Sequence, residues 1–210
     1  ILDFAMAQEP PTLDVMVNSS ISGKMIAVGN IYEKLLALSP DGVIVPELAS
    51  SYALSPDGRR LSFAIRSGVA FHDGRLMDSR DAALSMNRWL DRYQAAGMIA
   101  GDARFVDEGG SISIESEESL ALLPLMIASS PQSAIIVPAE CISEGLLPAD
   151  APGTGPYALR EWKYGESIEL EAFVGYGPHG TDKTPRIGKI IYRFVPDGVT
   201  RRLGLESGIY

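Results

Sequence analysis

The chain has 210 residues, 46% hydrophobic and 21% charged, enough to bury a real core in one large domain or one and a half ordinary ones. A formal net charge of −9 disfavours a broad phosphate-binding surface, so no nucleic-acid partner is expected. The one cysteine, Cys141, rules out an intrachain disulfide and reads as a small buried hydrophobe, and no apolar run reaches the roughly 18 residues a membrane-crossing helix needs.

Ile1–Ala7 predicts a buried strand, which Pro10 and Pro11 end because proline cannot continue a central ladder. A polar loop follows through Asn18, Ser19 and Ser20. Met25, Val28, Ile31, Tyr32 and Leu35 recur at helical spacing and predict a helix over about 22–36. Ser39-Pro40-Asp41-Gly42 and Ser55-Pro56-Asp57-Gly58 repeat one turn chemistry: proline presets φ, aspartate bonds back to the chain, and glycine takes positive φ. With the alternating Leu61, Phe63 and Ile65 between such turns, a small antiparallel meander is expected.

Asp78 is a good N-cap with Asp81 in the first turn, and Ala82, Met86, Trp89, Leu90 and Tyr93 then share one helical face. Ser111–Glu115 alternates as a strand, and Leu120–Ala128 predicts a short helix begun or broken at Pro124. Ser133–Val137 is a further buried segment. Tyr157 and Leu159, the turn Lys163-Tyr164-Gly165-Glu166, and Ile168, Leu170 and Ala172 make a hairpin. Ile190–Val195 is a strand, Thr200 caps a helix running to Gly208, and Ile209-Tyr210 starts another strand. Strands and helices alternate at both ends around a central meander, an α/β framework with an α+β insertion.

Several phrases occur in a fixed order: Pro11-Thr12-Leu13-Asp14, Ile31-Tyr32-Glu33-Lys34-Leu35, Val45-Pro46-Glu47-Leu48-Ala49, Gly68 to Gly74 with Phe71-His72-Asp73 inside it, Ser85-Met86-Asn87-Arg88-Trp89, Ile136-Val137-Pro138, Gly153-Thr154-Gly155-Pro156-Tyr157, and Pro196-Asp197-Gly198-Val199-Thr200-Arg201. In this order they resemble the bacterial extracellular solute-binding proteins of family 5, the dipeptide, oligopeptide and nickel group. The resemblance implies a type II (cluster C) periplasmic-binding-protein clamshell, of which these residues form lobe one: a mixed sheet with flanking helices plus a peripheral α+β subdomain. Residues 1–32 and 152–210 are then the lobe core and 33–151 the subdomain, with the second lobe expected to be absent from the chain. It also implies a non-enzymatic protein without cofactor that captures a peptide or related small solute and delivers it to an inner-membrane ABC permease. The implied location is periplasmic or extracytoplasmic, with or without a lipid anchor.

The loop after the first strand is the expected ligand-facing element, because ligands of open α/β sheets bind beyond the carboxyl ends of the strands. Glu9, Asn18, Ser20 and Ser22 offer hydrogen bonds, and Met25 a soft apolar contact. In the nickel-binding relatives a methionine matching Met25 touches the metal complex, so a nickel or metal-chelate ligand is the alternative within the family. The aromatics expected there near Ser20 and near Gly97-Met98 are missing, which puts Met98 in place of a tryptophan; an arginine expected within 131–135 is missing too. Gly153 to Tyr157 fits neither nucleotide-binding glycine pattern, and Pro156 removes an amide donor. His72 and His179 are the only histidines: His72 reads as part of a turn set by Asp73 and Gly74, and His179 as a loop residue. Trp89 and Trp162 read as core. Two readings of other classes stand beside transport: a small cytoplasmic hydrolase using His72 and Asp73, for which no nucleophile elbow is present, and a protein-interaction module.

Overall fold

A computed structural model describes residues 1–142, 145, 147–177 and 183–210. In chain order its elements are β1 (Leu2–Met6), α1 (Ile21–Ala27), β2 (Leu36–Leu38), β3 (Ile44–Pro46), β4 (Ala49–Leu54), β5 (Arg60–Ile65), α2 (Ser79–Arg92) and α3 (Gln94–Ala100). There follow β6 (Val106–Asp107), β7 (Ser111–Glu115), α4 (Leu123–Ser129), a 3-10 turn (Ala139–Cys141), β8 (Tyr157–Lys163), β9 (Ser167–Ala172), β10 (Lys189–Phe194) and α5 (Gly198–Glu206).

The first and last thirds of the chain share one mixed sheet, ordered β1-β10-β9-β8. β1 runs parallel to β10, with Leu2 opposite Ile190 and Met6 opposite Phe194, and the expected hairpin adds β9 and β8 antiparallel. Asp3 and Arg193 clasp the parallel pair through Nε–Oδ1 and Nη2–Oδ2 contacts, each 2.9 Å. The middle of the chain supplies the ribbon β2-β3 and the antiparallel sheet β4-β5-β7-β6. Leu61, Phe63, Ile112 and Ile114 on that sheet are buried with Ala82, Met86 and Trp89 of α2, the apolar stripe the helical spacing predicts. The buried apolar residues form one continuous cluster from Met6 to Phe194.

Local signals place most boundaries. Asp78 caps α2 in a reciprocal box with Asp81, each side chain accepting from the other's backbone N–H at 3.0 Å. Pro124 sits in the first turn of α4, where its missing N–H costs nothing. The two Ser-Pro-Asp-Gly turns join β2 to β3 and β4 to β5, with Gly42 and Gly58 at positive φ.

Other expectations need correction. β1 is a sheet edge and not a buried strand: Leu2 and Phe4 stay largely exposed, facing a groove completed by Arg201, Leu205 and Tyr210, and only Met6 is buried. The helix predicted over 22–36 ends at Ala27. Gly29 turns the backbone left-handed (φ 78°), and Asn30 Nδ2 donates to Met25 O and Ile26 O at 3.0 and 3.2 Å, closing the helix end with a side chain. Ile31, Tyr32 and Leu35 are buried as expected, but in an irregular segment leading to β2. Ser133–Val137, by contrast, is buried as expected and shares one isolated bridge, Ile135 to Lys34. Asp197 caps α5 in place of Thr200, whose N–H donates to Asp197 Oδ1 at 2.7 Å. Ile209-Tyr210 starts no strand; the Tyr210 ring folds back over Gly204, where a Cβ would lie 2.0 Å from it.

Candidate functional site

The loop after β1 is held from below and open only at its rim. Leu13, Asp14, Val15 and Met16 are buried, so the middle of the loop belongs to the core. From Asp14 the chain turns back on itself, with Asn18 N donating to Asp14 O at 3.2 Å. Asn18 Oδ1 accepts from Ser20 N at 2.6 Å, and Ser20 Oγ caps α1 by accepting from Gly23 N at 3.2 Å. Ser19, Ile21 and Met25 are exposed on the resulting rim, Met25 at 49% and Ile21 at 75%. Ser22 turns inward and is buried. Glu9 is engaged elsewhere: its carboxylate accepts from Trp162 Nε1 at 2.7 Å and from Gly165 N at 3.0 Å, tying the loop to the β8–β9 turn. Trp162 is therefore half-buried and stacks on the exposed Tyr164 (centroids 4.7 Å), unlike the fully buried Trp89. The structure thus gathers Asn18, Ser20 and Met25 at the head of α1, while Met98, 78% exposed, lies on α3, which packs on α2 and α4.

Two buried polar knots escaped the sequence reading. Asp14 and Arg88 pair bidentately at 2.6 and 3.1 Å with both side chains almost fully buried. Asp14 also accepts from Met16 N and Leu147 N, and Arg88 donates to Gly145 O at 3.0 Å. The knot therefore joins the loop, α2 and the segment before residue 150. In the second knot, Glu33 accepts from Thr154 Oγ1 and Tyr176 OH, both at 3.1 Å, and shares Lys183 with Glu47. Glu47 also accepts from Lys34 N. Burial alone would lower the Lys183 pKa, but the Glu47 and Glu33 carboxylates outweigh it and raise the ammonium. One signal was available: Glu33 and Glu47 each stand inside an apolar run, where a carboxylate needs a partner.

His72 is built into the scaffold. Its Nδ1 accepts from Gly153 N at 3.2 Å, so its Nε2 carries the proton and donates to Gly155 O at 2.9 Å; its backbone N donates to Gly153 O. Phe173 meets the ring edge-on at 5.1 Å. Burial lowers the imidazole pKa, against a smaller upward pull from the Gly155 carbonyl. The sign follows: above the ordinary histidine pKa near 6.5 both states are neutral, while below it the unfolded chain gains a proton that the folded chain resists. Stability contributed by the neutral ring is therefore lost as pH falls below about 6.5 towards the folded-state value. We expect urea unfolding to show this loss between about pH 7.5 and 5.5, and His72→Gln to be weaker overall but to lack this component. An identical pH slope in both proteins would refute the assignment.

Cys141 is half-buried against the core, and burial raises its thiol pKa. His179 lies outside the described residues. Among the described residues, no group of three or more His, Cys, Asp or Glu is placed to hold a metal ion, and no helix is long and apolar enough to cross a membrane.

The chain and its fold are similar to known proteins. The chain is 30% identical over 191 residues to a nickel-binding periplasmic protein of Escherichia coli K12, covering 88% of this chain and 36% of the relative. It is 28% identical over 186 residues to the glutathione-binding protein GsiB of Salmonella typhimurium, covering 85% and 35%. The chain thus spans little more than a third of the curated relatives it matches. The solved structure of the periplasmic binding protein AgaA with agropinic acid from A. tumefaciens R10 superposes with a TM-score of 0.85 at 27% identity, over 99% of this chain and 42% of that one. The expected fold class holds: a mixed α/β arrangement of the type II periplasmic binding proteins. The family model for the middle region of the bacterial extracellular solute-binding proteins of family 5 matches residues 43–210, and the chain belongs to that family.

Proposed function

We propose that these residues form the first lobe of a binding protein that serves an ABC importer. It captures a peptide or related small solute outside the cytoplasmic membrane and hands it to a membrane permease, without enzymatic chemistry. Family membership, with the rim at the head of α1, carries this reading. The division into a lobe core of residues 1–32 and 152–210 and a subdomain of 33–151 is supported by sheet membership, since β1, β8, β9 and β10 fall in the first set and β2 to β7 in the second. The absence of a free acid-base group in His72, both of whose ring nitrogens are bonded to backbone, speaks against the hydrolase reading.

A peptide suits the rim because Asn18 uses its carbonyl oxygen internally, leaving its amide donors for a ligand carbonyl or carboxylate. The half-exposed thioether of Met25 supports the alternative ligand, a nickel chelate. Hydrogen exchange of the chain with glutathione, a dipeptide or a nickel–histidine complex separates them. We expect protection of amides 18–25 with a peptide. Protection by the nickel complex alone would replace the peptide reading, and protection by none would remove α1 from the ligand site.

A further inference from the structure

The exposed rim is not an independent loop. The buried Arg88 guanidinium grips both oxygens of Asp14. Asp14 O receives the amides of Val17 and Asn18, at 3.3 and 3.2 Å, which closes a tight turn on the ion pair. Asn18 Oδ1 then fixes Ser20 N, and Ser20 Oγ fixes Gly23 N in the first turn of α1. Gly23 has no slack: a Cβ there would lie 2.9 Å from Ser20 Oγ and 3.2 Å from Thr12 O. An unbroken series of hydrogen bonds thus runs from the middle of α2 to the helix carrying Ile21 and Met25.

We propose that Arg88 is a positioning residue for α1: through Asp14, Asn18 and Ser20 its guanidinium sets the placement of the exposed rim. The inference rests on the transport reading only in making that rim a ligand surface. The guanidinium fork is suited to this task and an ammonium is not, because planar bidentate pairing fixes the orientation of the carboxylate as well as its charge. Arg88 also donates to Met16 Sδ at 3.1 Å and Gly145 O, while its buried Nε has no hydrogen-bond partner among the described residues. A group held at such cost of desolvation is placed for geometry, since buried ion pairs contribute little net stability.

The test is amide exchange on the 210-residue chain without any ligand, so that it succeeds or fails apart from the transport reading. Arg88→Lys is expected to speed exchange of amides 21–26 about tenfold, the loss of one ordinary hydrogen bond's protection, while β5 and β7 stay as protected as in the parent. Arg75→Lys, which weakens the Arg75–Asp81 pair at the start of the same helix, is expected to leave amides 21–26 unchanged. Asn18→Ala cuts the series midway at a half-exposed residue and so tests it even if Arg88→Lys loses its fold; it carries the same expectation for 21–26. In a folded Arg88→Lys, parental protection of 21–26, or acceleration there no greater than in β5 and β7, would overturn the proposal, as would parental protection of 21–26 in Asn18→Ala.

Discussion

Gly153→Ala is expected to destabilise the chain by at least about 4 kcal/mol, at the extreme of single-substitution effects. An added Cβ would lie 1.9 Å from Ile31 O, 2.7 Å from Ile31 C and 2.8 Å from Tyr32 Cδ1. Most of that obstruction is backbone and cannot move aside like the tip of a flexible side chain. Gly155 is placed alike, 2.1 Å from Asn30 O. Retreat of the chain would break Gly155 N to Ile31 O, Tyr157 N to Asn30 O and the bonds to both His72 ring nitrogens, each worth about 1 kcal/mol. At roughly 2–4 °C per kcal/mol for a chain of this size, the thermal midpoint should fall by about ten degrees or more. Gly188→Ala is the control, for nothing lies within 4 Å of its added Cβ and its φ is not left-handed. Circular dichroism melts showing both variants within about two degrees of the parent would refute the close-approach account.

Asp14→Ala should cost about 3–5 kcal/mol, because it leaves the Arg88 guanidinium buried and unpaired. It also orphans the amides of Met16 and Leu147, which donate to the same carboxylate. Arg88→Met alone should cost a comparable amount. The double variant Asp14→Ala/Arg88→Met, which replaces the pair by apolar groups, should be clearly more stable than the sum of the single changes predicts. Urea unfolding of the four proteins gives the coupling directly. Additive costs would mean that the two side chains do not depend on each other.

The parts of the fold legible in the sequence are those whose causes are local. Asp78 with Asp81, Pro124 in α4, the Ser-Pro-Asp-Gly turns and the alternating hairpin residues each act within a few positions. The overlong helix shows the limit of periodicity. Ile31, Tyr32 and Leu35 fit a helical stripe, yet they are buried without one because Asn30 and Gly29 close α1 first. The site was less legible because its order depends on distant partners. Arg88 reaches Asp14 across 74 positions, and Gly153 reaches His72 across 81. Pro11-Thr12-Leu13-Asp14 and Ser85-Met86-Asn87-Arg88-Trp89 drew notice as separate phrases; the physics that links them is one ion pair. Ser22 and Glu9 carry suitable chemistry at suitable places in the loop, but the backbone turns one inward and the β8–β9 turn claims the other.

The parallel pairing of β1 with β10 has a consequence for the order of assembly. Asp3 and Arg193 meet across 190 positions, so β1 must wait until β10 has been made before it finds its neighbour. At ordinary translation rates that wait lasts roughly ten seconds or more. The meander of β4, β5 and β7 closes over far shorter loops and is free to form meanwhile. Folding should then proceed from the middle outward, with β1 docking after the meander and its Met6 open to chaperones until it does.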